Sequence, residues 1–280
     1  AFIGVAVLDR SVAGRSTQSR FGRGILAGLT WALPSTIWMV DLTPPGWIVS
    51  AFLHAGFVGI ALAAVPSTRG RRPAIVGALT LAEFVRWRVP FGGIPLATIP
   101  IGQAAGPLAP VVRVAGPLLL VALVVTVGCA LSALVGLFRS PRQATKVALI
   151  AVGAVSAALG LAAIAPTGRQ VGTIEAAVVQ GGGPQRTRAT PTGAAIVFAN
   201  QVAATDLVTG PVDLVVWPEN VVNPDPDLAA EERRPGRLYA DEARPVLQSL
   251  AESLDTVLIA GWFHQDPADL PAHRNNVAAI

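Results

Sequence analysis

The sequence predicts a multispan α-helical membrane region followed by an α/β domain, and three observations carry that expectation. The first is composition. Of 280 residues, 52% are apolar and 14% charged, with mean hydropathy +0.56, whereas a soluble domain carries about 25% charged residues. The second is the placement of charge. Residues 1–168 hold 13 Lys and Arg against 3 Asp and Glu, a balance of +10; residues 169–280 hold 8 against 14, a balance of −6. The isoelectric point near 10.5 therefore describes neither part. The third is a change of pattern at Gly168, where long apolar runs give way to short β-branched runs alternating with amphipathic ones. Such alternation belongs to α/β domains with a mostly parallel or mixed sheet.

Taken in order, residues 1–8 read as the tail of an earlier span. Residues 24–42 and 47–65 follow, the first with Pro34 inside and Asp41 at its end, the second with His54. Residues 74–89 carry Glu83, Arg86 and Arg88, so they read either as a short span or as a helix lying along the interface. Residues 114–138 and 147–165 are uncharged over 25 and 19 positions, and about 20 apolar residues suffice to cross a bilayer. Arginine placement favours a crossing at 74–89. With that crossing, ten basic residues in the segments 10–23, 69–72 and 139–146 share one face, leaving Arg86, Arg88 and Arg113 on the other. The positive-inside rule prefers this arrangement, and it sets the chain after residue 165 on the outer side of the membrane. Residues 90–110 are too broken by Gly and Pro to span, and read as a re-entrant or interfacial loop. Glu83 has two readings: a functional acid inside an apolar run, or the partner of Arg86 at i,i+3.

Beyond Gly168 the pattern gives strands at 173–180, 213–217 and 256–263, helices at 192–207 and 238–254, and the start of a fourth strand at 276. The first of these reads as a buried strand. Residues 223–237, with three prolines and many charges, read as an exposed loop. Residue 1 is Ala and the last strand is short, so the domain is expected to be incomplete and the sequence a piece of a longer chain.

The chemistry on offer is narrow. Glu219 directly follows an apolar strand in DLVVWPE, residues 213–219, and the carboxyl ends of strands form the crevice of open α/β sheets. Trp217 and Pro218 beside it would desolvate the carboxylate and raise its pKa toward that of a general base; the alternative is a solvated loop acid. His54, His264 and His273 show no ligand spacing, so no metal is expected, and no cofactor motif is present. Gly181-Gly182-Gly183 reads as a plain turn. Cys129 lies in mid-span and reads as an inert apolar residue; as the lone cysteine it excludes a disulfide framework. Lys146 is the only lysine. The arginines sit between apolar runs, not on one patch, which excludes nucleic acid as a partner.

Four stretches of this sequence resemble the apolipoprotein N-acyltransferase family. Residues 24–40 are similar to its early span, with a Gly-rich start and a late Trp, here Trp38. Residues 81–86, LAEFVR, followed by FGGIP at 91–95 and by Gln103, resemble its "LAEWLR…GFPW…Q" stretch. Residues 177–181, AVVQG, look like its first nitrilase strand, and residues 213–219 match its "IVWPE" strand. Asn276 resembles the Asn of a further strand.

The resemblance implies a nitrilase-like αββα sandwich after the membrane region, incomplete in this sequence. It implies acyl transfer from a phospholipid to the N-terminal amine of a diacylglyceryl-cysteine lipoprotein, by way of a cysteine thioester. Glu219 takes the place of the family's general base, and Gln180 and Asn276 become substrate-binding candidates. The family's Lys and nucleophilic Cys would lie beyond Ile280, and the fragment alone would be inactive. After Gly183 this chain reads PQRTR, without the family's Asn-Ile-Pro and Trp. The ratio of 20 Arg to 1 Lys suggests a G+C-rich genome. In such lineages the domain can be joined to a polyprenol-phosphate mannosyltransferase, which opens an alternative: a non-catalytic anchor for that enzyme. The implied location is the cell membrane, multi-pass, with residues 169–280 on the extracytoplasmic side.

Overall fold

The computed structural model describes residues 1–90, 92–93, 95–137, 140–184, 190–219, 221–225, 228–264 and 275–279, with backbone alone at 263–264 and 275–279. The chain divides into two units, Ala1–Thr167 and Gly168–Ile280.

The first unit is helical: α1 (Phe2–Val12), α2 (Thr17–Ser35), α3 (Pro44–Ala64), α4 (Arg71–Arg86), α5 (Val112–Val135) and α6 (Pro141–Ile164). Among the described residues three helical stretches are long and apolar enough to cross a membrane, Pro44–Ala64, Ala109–Val135 and Pro141–Ile164. Helix α6 turns Leu149, Ile150, Val152, Leu161 and Ile164 outward, which suits a surface solvated by lipid.

Boundaries differ from the expected spans, because hydropathy reports where apolar side chains are and says little about where a helix starts. Helix α2 begins in the basic segment before residue 24, with Ser16 Oγ accepting the backbone N–H of Ser19 at 3.3 Å. It ends at Ser35, one residue after Pro34, and a 3₁₀ turn, Ile37–Asp41, takes the place of the expected last turns. Helix α4 has 16 residues, about 24 Å at 1.5 Å per residue, short of the roughly 30 Å hydrocarbon core. The expected single span at 114–138 is interrupted: Ala115 and Gly116 leave helical geometry, Gly116 at φ 71°, and the helix resumes at Pro117. Proline suits that first turn, where its missing N–H has no helical acceptor.

Small residues set the closest approach. A Cβ on Gly24 would stand 2.7 Å from the Gly59 Cα, and one on Gly28 would stand 2.4 Å from the Ala55 Cα. Gly24 and Gly28 on α2 thus face Ala55 and Gly59 on α3, a small-xxx-small pairing on both helices.

Two polar clusters fix relative levels within this unit. Buried Asp9 accepts from Arg71 at 2.9 Å, Arg72 at 3.1 Å and Ser132 Oγ at 2.6 Å. The ends of α1 and α5 and the start of α4 therefore share one level. Arg20, at the start of α2, donates to the carbonyls of Leu62 at 3.2 Å and Ala63 at 3.1 Å, satisfying acceptors that the end of α3 leaves open. At the other level Arg113 donates to the carbonyl of Ala165. Helix α4 runs away from the Asp9 level and α5 returns to it.

The second unit carries β1 (Ala176–Val178), α7 (Pro191–Thr205), β2 (Leu214–Val216), α8 (Ala240–Ser253), β3 (Val257–His264) and β4 (Asn275–Ala279). The sheet order is β1-β2-β3-β4; the first three strands are parallel and β4 is antiparallel to β3. Its core is Val197 and Phe198 of α7, Val215, Trp217, Leu247, Leu258 and Trp262. The expected buried strand at 173–180 is shorter and more exposed than its composition suggested: Val178 is 80% exposed. As the edge strand of the four, β1 is paired on one side only.

Candidate functional site

Parallel strands bring their carboxyl ends to one edge, and the three candidate residues of the second unit all lie there. The N–H of Val179, just past β1, donates to the Val216 carbonyl at 3.0 Å, and Gln180 follows. Glu219 comes three residues after the end of β2. Because β4 is antiparallel, its first residues lie beside the carboxyl end of β3, where Asn276 pairs with Phe263. Glu219 and Gln180 are both exposed. The expected desolvation of Glu219 is therefore not seen, and the reason is local. Trp217 turns into the core, 3% exposed and edge-on to Phe198 with ring centroids 6.1 Å apart.

The edge is held by a neutral network that sequence reading missed. Gln201 on α7 is fully buried; its Nε2 donates to the Val179 carbonyl at 2.6 Å and its Oε1 accepts the N–H of Gly181 at 2.7 Å. Trp217 Nε1 donates to Thr205 Oγ1 at 2.9 Å, and Thr205 in turn donates to the Gln201 carbonyl at 2.8 Å. The segments after β1 and β2 are thereby tied to one helix. Gly181 is required by close approach: a Cβ there would stand 2.5 Å from backbone atoms of Asn200 and Gln201. Polar residues on a buried helix face, four apart at 201 and 205, were the signal available in the sequence. Residues 185–189, which include most of the altered PQRTR stretch, lie outside the described residues, as do Asn220 and His273.

The loop expected over 223–237 is pinned rather than merely solvated. Arg237 donates to Asp225 at 2.6 Å, and Arg233 donates to Asp241 and, at 3.0 Å, to Glu242 on the first turn of α8.

In the helical unit, Glu83 and Arg86 form the i,i+3 pair at 2.5 Å, with both side chains about 5% exposed. Arg86 also donates to the Leu96 carbonyl at 2.8 Å and lies 5.5 Å from the Trp31 ring centroid. It is thus a strut between α4, α2 and the 90–110 loop. That loop turns sharply at Gly93, φ 110°, where a Cβ would stand 2.0 Å from the Trp87 carbonyl oxygen. Asp9 in α1 is a second acid buried within an apolar helix. The rule that singled out Glu83 would have found it. Cys129 is buried in α5 and Lys146 lies on α6; neither belongs to the sheet edge.

Residues 1–130 match the family model for the apolipoprotein N-acyltransferase N-terminal domain. The match covers the stretches at 24–40 and 81–103 and none of the sheet-edge residues.

Proposed function

We propose that this chain, whose residues 1–130 match the model of the apolipoprotein N-acyltransferase N-terminal domain, moves a fatty acyl chain from a phospholipid to the N-terminal amine of a diacylglyceryl-cysteine lipoprotein, with Glu219 as general base. The observation that carries the reading is the position of Glu219 at the carboxyl edge of parallel strands, next to a Trp217 anchored by Thr205. In the first half-reaction the carboxylate takes the proton of a thiol, whose sulfur attacks the lipid ester carbonyl. The thioester forms, the lysophospholipid oxygen leaves, and the proton goes to that oxygen. In the second, Glu219 takes a proton from the attacking amine, the amide bond forms, the C–S bond breaks and the thiol recovers the proton. Residues 168–280 contain neither Cys nor Lys, so this reading draws the thiol and its Lys partner from elsewhere in the full-length protein. Gln180 and Asn276, on the same edge, are the substrate-binding residues in this reading.

The proposed location is the cell membrane, with residues 168–280 on the outer side, where a diacylated lipoprotein is presented. Two observations support it. The basic segments 10–23 and 69–72 sit at the Asp9 level, and the last helix, α6, is capped by Ala165 at the level opposite.

In the full-length protein, Glu219→Gln should abolish acyl-enzyme formation from labelled phospholipid while membrane insertion is unchanged. Retained acylation would remove Glu219 from the mechanism.

A further inference from the structure

Helix α6 buries Ala144, Ala151, Ala158 and Ala162, the side it turns to α5. The helical period places Arg142, Thr145, Lys146, Leu149 and Ile150 on the opposite face, at i, i+3, i+4, i+7 and i+8, and all five are exposed. Together with Pro141 they line an open groove of about 540 Å³. The groove is cationic at one end and apolar at the other, where Leu149 and Ile150 are 66% and 58% exposed.

The two cations find no counter-charge on the elements around them. The sequence has no Asp or Glu between Glu83 and Glu175, so neither α6 nor α5, against which it packs, can supply a carboxylate. Among the described residues the ion pairs of the helical unit go to Arg71, Arg72 and Arg86 instead. Depth matters as well. The hydrogen bond from Ser132 to Asp9 puts the end of α5, and with it the start of α6, at the Asp9 level, while Arg113 ties the far end at Ala165 to the opposite one. Counted back from Ile164, a hydrocarbon core of about 30 Å takes about 20 residues at 1.5 Å each and reaches Thr145. Arg142 therefore lies just outside the apolar core. Lys146 lies at its edge, where a long side chain leans toward the helix N-terminus and the headgroups. Leu149 and Ile150 lie within it.

We propose that this face of α6 binds an anionic phospholipid, with its phosphate between Arg142 and Lys146 and an acyl chain along Leu149 and Ile150. The occupant has to be anionic at the boundary and apolar one helical turn deeper. A soluble anion meets only the first requirement, and a neutral lipid only the second. The Thr145 hydroxyl, on the same face as the two cations, offers a further donor to a phosphate oxygen. The site is independent of Glu219, and its test does not read acyl transfer.

The full-length protein is reconstituted in phosphatidylcholine vesicles with a trace of diether phosphatidylglycerol whose alkyl chain carries a diazirine. Having no ester, this probe cannot serve as an acyl donor. Photoadducts, mapped by mass spectrometry, should fall on residues 145–150 and be competed by unlabelled diether phosphatidylglycerol but not by diether phosphatidylcholine. Arg142→Gln and Lys146→Gln should each lower that labelling about fivefold, the weight of one basic residue near an anionic surface. Arg10→Gln removes an exposed cation at the same level but outside the groove, and should leave the labelling unchanged. Equal competition by phosphatidylcholine would overturn the proposal, and so would an equal loss in Arg10→Gln, which would mean that the charge of the whole face attracts the probe. A full-length protein without adducts at 145–150 would overturn it too, because another segment would then cover this face.

Discussion

In the helical unit the charged side chains of Asp9, Arg20, Glu83 and Arg86 are buried among apolar helices. In the sheet unit the ion pairs of Arg233 and Arg237 lie on a partly exposed loop, and the buried network of Gln201, Thr205 and Trp217 is neutral. Each arrangement suits its surroundings. A helix end at the edge of an apolar medium has carbonyls that water does not reach, so a charged side chain that satisfies several of them is retained, as Arg20 is. Near bulk water a charge already has good partners, and bringing it inside gains little. The same residue types therefore carry different energetic weight in the two units, and substitutions should rank accordingly.

The largest loss is expected from Asp9→Ala. It leaves Arg71, Arg72 and Ser132 without their shared acceptor, and removing one partner of a buried ion pair costs about 3–5 kcal/mol. Thermal unfolding of the detergent-solubilised full chain should show it as a clear drop in Tm. A change no larger than that of a surface substitution would mean that the cluster is solvated.

Next comes Gly28→Leu, which drives a side chain into the Ala55 backbone. Overpacking costs about 1–3 kcal/mol, and here the obstacle is backbone, which yields poorly. Gly56→Leu is the control, because a Cβ there meets nothing within 4 Å. Thermal stability should fall for Gly28→Leu and hold for the control; equal losses would mean that α2 and α3 do not rely on this contact.

These two cases also mark what the sequence could reveal. Glu83 and Arg86 are three residues apart on one helix, so their pairing is readable from spacing alone. Asp9 meets partners 62, 63 and 123 positions away, and no local pattern encodes that meeting. The apolar runs were legible because a bilayer selects length and hydropathy directly. Helix ends were not, because Ser16 and Thr17 can open α2 in a stretch that hydropathy assigns to solvent. In the sheet unit, a mostly parallel or mixed sheet followed from alternation, and the edge position of Glu219 followed from DLVVW ahead of Pro218. Its exposure did not, because whether Trp217 shields position 219 or fills the core depends on Phe198 and Thr205, both on another element.

Gln201→Leu should come third. It leaves the N–H of Gly181 and the carbonyl of Val179 without their side-chain partner, a cost of about 1–3 kcal/mol. Thr205→Val should cost less alone. Because Thr205 donates to the Gln201 carbonyl and accepts from Trp217, the pair should be non-additive in a double-mutant cycle of unfolding free energies. Strict additivity would show that the two ends of the edge are held separately.

The smallest effect is expected from Arg233→Ala, although this residue makes two ion pairs, to Asp241 and Glu242. The acidic partners are about half exposed, so water and salt replace most of what the guanidinium supplies. Its hydrogen bond to Asp241 holds Arg233 above the ordinary guanidinium value. A group raised in the folded state contributes fully below its unfolded value and loses that contribution only as pH climbs through the folded one. Arg233 itself therefore adds no pH dependence between about pH 6 and 9, and the variant's denaturation midpoint should track the parent's across that range and converge with it in high salt. Arg233 also packs 4.8 Å from the Tyr239 ring centroid, a contact that salt screens poorly. A midpoint difference that survives high salt would assign Arg233 to that ring rather than to the carboxylates, and the rule that rim charges weigh little would still hold.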